Sequence, residues 1–145
     1  RWMSSQADVI GLTDNLMYRP HIQSPFLMFT NRAVSCDAFW KFWDNISHWE
    51  NKRSIVKNYE VGLPSLLENQ GLSLESLFTN KANGNILHAE WQSLIEQQAF
   101  PFLKVSLLRD NPHSVDISNW KEVVGQYNPR LAKQISQHLK RLNQN

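Results

Sequence analysis

The chain has 145 residues, 41% of them hydrophobic and 19% charged, which suits one globular domain with its own core. A net charge of +2 gives no ground for a nucleic-acid partner, and the lone Cys36 excludes a disulfide framework or a Cys-based metal site. No apolar run of about 20 residues occurs, so no transmembrane helix is expected. Arg1–Gln6 is not followed by an apolar run, so no signal peptide is expected either. The chain does not begin with Met and enters a strand almost at once, so a fragment or processed domain is expected.

Asp8–Thr13 reads as a short strand ending in a turn at Asp14-Asn15. Ile22–Thr30 reads as a second strand, almost continuously apolar and broken by Pro25, which marks an edge or a bulge. Asn31–Ile46 reads as a helix capped by Asn31, with Val34, Ala38, Phe39, Phe42, Trp43 and Ile46 as its apolar stripe. Arg53–Asn69 reads as a helix in which Pro64 forces a kink or a split, with Gly71 as its left-handed cap. Leu72–Phe78 reads as a strand, and Asn80–Asn85 as a loop. Leu87–Gln97 reads as a helix with Trp91, Leu94 and Ile95 inward. Pro101–Leu108 reads as a strand, with a short helix as the alternative. Asp116 or Ser118 is expected to cap a helix that ends at Gly125. Asn128-Pro129 opens a last helix whose inner face is Leu131, Ile135, His138, Leu139 and Leu142. Alternating strands and helices give an α/β class with a helical C-terminal third, in a single domain over residues 1–145.

Six Trp is a high number, so several should be core and a few could line a site. Trp40 and Trp43 lie one turn apart on an aromatic helix; they are read either as core or as a platform for sugar rings. His88 and His113 invite a metal reading, but their spacing builds no site alone. Lys133, Lys140 and Arg141 read as a cationic last helical turn, with a peripheral membrane contact as the alternative.

Six motifs occur in a fixed order: Gly11–Asp14, His21–Ser24, Phe39–Trp43, Glu60–Leu63, Pro101–Lys104 and Leu107–Pro112. Together they resemble the C-terminal half of the rhamnan synthesis protein F family over nearly the whole chain. Pro20 stands where that family usually has Tyr, and Pro64 follows its Glu-x-Gly-Leu. The resemblance implies a glycosyltransferase of cell-surface polysaccharide or lipopolysaccharide assembly. Its partners would be a nucleotide-sugar donor, such as an activated rhamnose, and a glycan acceptor. The implied fold is a Rossmann-like GT-A-type layer, and the implied location is the cytoplasm, at the inner face of the membrane. In that fold the nucleotide and an Asp-x-Asp metal motif belong to the N-terminal half. No Asp-x-Asp occurs here, so any divalent metal is expected on residues outside this chain.

On that reading Glu60 is the first candidate for the base that deprotonates an acceptor hydroxyl, and Asp14 the second. Asn15, His21 and Gln23 would face sugar hydroxyls, Trp40 and Trp43 a sugar ring, and Lys104 and Arg109 a diphosphate. Each has a plainer account. Glu60 would be a solvent-facing helix residue, Asp14 a turn former and Arg109 a partner of Asp110 or Asp116. A non-catalytic glycan- or partner-binding module, or a structural helical cap, are the competing classes. Oligomeric state is left open.

Overall fold

The computed structural model describes residues 4–80, 84–98 and 100–142. The chain divides into two compact units, up to Asn85 and from Ile86, each with its own core. No helix is long and apolar enough to cross a membrane.

The first unit is built on β1 (Val9–Asn15), which is buried along almost its whole length. It pairs antiparallel with β2 (His21–Ile22) and β3 (Leu27–Phe29), and parallel with β4 (Leu74–Phe78). The expected second strand is thus two short strands with Ser24-Pro25 between them, where Pro25 cannot donate a ladder bond. Among the described residues the fold is mixed α/β with a small four-stranded sheet. Gly11 is required by close approach: an added Cβ would stand 2.8 Å from Ile22 Cβ.

The expected Asn31–Ile46 helix is two helices, α1 (Asn31–Val34) and α2 (Asp37–Asp44). Thr30, not Asn31, caps the first through its side chain. Ala33 and Phe39 are six residues apart, about 240° around a continuous helix. The break at Ser35-Cys36 lets both enter one cluster with Val9, Ile22, Leu63, Leu67 and Leu72.

The expected Arg53–Asn69 helix is α3 (Lys52–Ile55), a π turn (Val56–Glu60) and α4 (Gly62–Glu68). Pro64 has no N–H for the Glu60 carbonyl, so the chain widens before it, and Val61 N donates to Val56 O at 2.9 Å. Gly71, with φ of 74°, closes α4 as expected; Leu72 N bonds Leu67 O and Gly71 N bonds Glu68 O.

Asp8 locks the start of β1. It is buried, accepts from Ser73 N at 2.9 Å and Ser73 Oγ at 3.0 Å, and pairs with Arg32 at 2.6 Å. The Ser73 backbone N–H chiefly, then its hydroxyl and Arg32, hold the Asp8 carboxyl below its ordinary value against the opposing cost of burial. Stability from Asp8 is therefore full above the ordinary carboxylate value and is lost as pH falls through the depressed one. Thermal melts should show Asp8→Asn destabilised at pH 7, with the gap to the unsubstituted protein closing below the ordinary value. A gap independent of pH would contradict this.

The second unit is helical: α5 (Ile86–Ala89), α6 (Trp91–Gln98), α7 (Val105–Arg109), α8 (Trp120–Tyr127) and α9 (Pro129–Leu142). Its core is Trp91, Ile95, Leu107, Val123, Val124 and Ala132. Three expectations are corrected. The Pro101–Leu108 stretch is irregular and then helical, the alternative reading, rather than a strand. Gly125 lies inside α8, and Asp116 accepts from Ser118 N before that helix begins instead of capping it. Ala132, rather than Leu131 or Leu142, is the buried residue of α9. Asn128-Pro129 does open α9, with Asn128 Oδ1 accepting from Leu131 N at 3.0 Å. Part of the expected Asn80–Asn85 loop lies outside the described residues.

Candidate functional site

Two acidic residues flank one short segment, His21–Ser24, Asp14 through its backbone and Glu60 through its carboxylate. Asp14 lies opposite Ile22, and Asn15 opposite His21, in the β1–β2 pairing. Gln23 N donates to Thr13 O at 2.8 Å, and Thr13 Oγ1 donates to Gln23 Oε1 at 2.9 Å. From the end of the π turn, Glu60 Oε1 accepts from both Ser24 N and Ser24 Oγ at 2.9 Å. Asp14 Oδ1 accepts from Asn80 N just past β4. The Pro64 break therefore delivers Glu60 to the segment that also pairs with Asp14. Both carboxylates are half-buried and reach solvent.

Asn15, His21 and Gln23 are buried. Asn15 Oδ1 accepts from Met17 N at 2.7 Å, and His21 Nδ1 lies 2.8 Å from the Arg19 carbonyl, which places a proton on that nitrogen. These contacts shape the Leu16–Pro20 loop, in which Tyr18 takes a left-handed φ of 68°.

The aromatic helix divides its rings. Phe39 is buried, packed edge-on to Phe29, whereas Trp40 is 58% and Trp43 41% exposed. Trp40 Nε1 donates to the Val34 carbonyl at 2.8 Å, which fixes the ring. Tyr59 anchors the loop that follows: its hydroxyl accepts from Ser47 N at 2.7 Å and Trp49 Nε1 at 2.9 Å, and donates to Ser47 O at 2.9 Å. Bonding with Ser47, aided by Trp49, lowers the Tyr59 hydroxyl from its ordinary value. Trp49 joins Trp40 and Trp43 at the surface. Sequence reading assigned Trp49, Tyr59 and Asp8 to no site, and Ser24 only to a motif. The six-motif order contained Ser24, but the partners of the other three are set by tertiary contacts.

Lys104 and Arg109 belong to the second unit, at the two ends of α7. Arg109 is engaged in a two-pronged pair with Asp110, at 2.7 and 2.6 Å, which is the plainer of its two readings. His88 is buried with Nε2 3.3 Å from Ser106 Oγ, and its ring packs edge-on to His113. Among the described residues no group of three or more His, Cys, Asp or Glu gathers to hold a metal ion.

A family model described as Rhamnan synthesis protein F matches residues 3–143. Among curated proteins, the uncharacterized protein y4gN of Sinorhizobium fredii (strain NBRC 101917 / NGR234) is 28% identical over 82 residues. That match covers 54% of this chain and 21% of the relative, so the chain spans about a fifth of that protein's length. No solved structure matches the chain.

Proposed function

The chain belongs to the family described as Rhamnan synthesis protein F, and from that membership we propose that it serves rhamnan or related polysaccharide synthesis as the acceptor side of a glycosyltransferase. The observation that carries this reading is that Glu60, held by Ser24 through its carboxylate, and Asp14, paired with Ile22 through its backbone, flank the one His21–Ser24 segment, with both side chains half-buried. A sugar transfer needs one carboxylate to take the proton of an acceptor hydroxyl while its oxygen attacks the anomeric carbon. The nucleoside diphosphate then leaves with the electron pair of the broken bond. Glu60 is the base in this proposal. Two bonds from Ser24 hold its Oε1 and so fix the carboxyl's direction. Asp14 stands as the second candidate.

Asn15, His21 and Gln23 keep the loop beside these carboxylates in shape, and Trp40 and Trp43 offer rings on which an acceptor sugar stacks. Lys104 and Arg109 lie in the second unit, and Arg109 is taken up by Asp110, so no part of this proposal is placed on them. The Asp-x-Asp of a GT-A-type enzyme does not occur in these 145 residues. A divalent metal finds no three-ligand cluster among the described residues. The cytoplasm, where activated sugars are made, is the proposed location.

A second reading, a glycan-binding module without turnover, is favoured by the exposure of Trp40, Trp43 and Trp49. Calorimetric titration of the chain with dTDP-rhamnose and with a short rhamnan oligosaccharide tests the proposal. The expected result is binding of the oligosaccharide. Binding of the nucleotide sugar would place the donor site in this chain as well. Binding of neither would reduce it to a structural part.

A further inference from the structure

A cleft of about 610 Å³ in the first unit is lined by Met17, Tyr18, Arg53, Ser54, Lys57 and Asn58. We propose that this cleft binds a phosphate- or diphosphate-bearing ligand, with Arg53 and Lys57 supplying the charge. Only the identity of the bearer, a nucleotide sugar or a lipid-linked glycan, rests on the function proposed above.

Three observations support the site. First, Arg53 and Lys57 stand four residues apart, so they lie on the same side of the helical segment, and no carboxylate lines the cleft. Among the described residues neither forms an ion pair, whereas Arg109 is already occupied by Asp110. Like charges four residues apart on a helical surface disfavour each other weakly, and a bound anion removes that repulsion. Second, the donors suit phosphate. A guanidinium offers a planar fork, an ammonium a point charge and Ser54 a hydroxyl, while Asn58 Nδ2 donates one N–H to the Ser54 carbonyl at 2.9 Å and keeps its second. Third, the facing wall is strained. Tyr18 keeps φ at 68° although it is not glycine, 57% exposed, in a loop tied by buried Asn15 and His21. Backbone strain maintained by buried polar contacts concentrates at ligand sites. The ring so displayed can stack on a base or a sugar beside the phosphate. A rival cationic groove, with Lys121, Lys133 and Lys140, has ammonium groups alone and no strained wall.

The test is titration of the 145-residue chain with inorganic pyrophosphate at low salt. Saturable binding is expected. It should be at least tenfold weaker in Arg53→Gln/Lys57→Gln and should weaken with added salt. Lys133→Gln/Lys140→Gln, which removes the same charge elsewhere, should bind like the unsubstituted chain. All the substituted positions except Lys57 and Arg53 lie outside the cleft, and all four are exposed, so folding should survive; melting curves check this. Absence of saturable binding, or equal weakening in both variants, overturns the proposal. Thymidine diphosphate and vesicles carrying a lipid-linked diphosphate distinguish the bearer, and tighter binding of either at this cleft supports the site. If pyrophosphate binds here while the oligosaccharide and dTDP-rhamnose do not, the polysaccharide reading falls and the cleft stands.

Discussion

Gly11→Ala should destabilise the first unit by about 2–3 kcal/mol, the scale of overpacking a closed core. The added Cβ meets Ile22 Cβ at 2.8 Å and Ile22 Cγ2 at 3.2 Å, closer than carbon atoms sit without displacement. Neither partner has an easy escape. Gly11 is in the buried strand β1, paired with both Leu27 and Ser76, and Ile22 belongs to the main core cluster. For a unit of this size the melting temperature should fall by about 10–20 °C. The cause can be isolated by a double-mutant cycle. Ile22→Ala alone costs about 2–5 kcal/mol through the cavity it leaves. In that background Gly11→Ala should cost little, because the clash is gone, giving a coupling of about 2 kcal/mol. Strict additivity of the two changes would show that the close approach is not what requires glycine. The glycine of the Gly-Leu-Thr-Asp motif is thus explained by packing.

On the proposed mechanism, Glu60→Gln should lower sugar transfer by about 10²–10⁴-fold, the usual contribution of a general base. The amide retains an oxygen that can accept from Ser24 N and Ser24 Oγ, so the local structure and the melting temperature should hold. This separates two roles. If Glu60 only anchors the Ser24 turn, Gln keeps activity and Ala loses it together with stability. If Glu60 removes the proton, Gln and Ala both lose activity while Gln stays folded. Asp14→Asn in the same series should be non-additive with Glu60→Gln if both groups act on one acceptor hydroxyl.

Features governed by neighbouring residues were legible in the sequence. The break at Pro25, the Gly71 cap, the Asn128-Pro129 helix start and the inward Trp91, Leu94 and Ile95 all depend on local backbone chemistry or periodicity. Features governed by distant contacts were not. The break between α1 and α2 exists because Ala33 and Phe39 share a core with Leu63 and Leu67. Asp8 finds its partner in Ser73, 65 residues away. The effect of Pro64 was legible as an interruption, but not as a π turn that carries Glu60 to Ser24. In the Pro101–Leu108 stretch an apolar run suggested a strand, although the nearby helices supply the partners it needs and no sheet is present in that unit among the described residues. The site followed the same division. Asp14 and Glu60 were chosen for their chemistry and stand open to solvent. Asn15, His21 and Gln23 were chosen for their polarity, and their visible bonds hold the loop. A short polar stretch looks the same in sequence whether it meets a ligand or its own backbone.

Two amides report on the carboxylates directly. Ser24 N–H donates to Glu60, and Asn80 N–H donates to Asp14. The decisive measurement is therefore an amide chemical-shift titration of the ¹⁵N-labelled chain with a short rhamnan oligosaccharide. The account predicts that the Ser24 and Asn80 signals move together along one saturation curve. Saturable binding that moves the Trp40 and Trp43 indole signals but leaves both amides in place would contradict it, making the tryptophan surface the glycan site and the carboxylates bystanders.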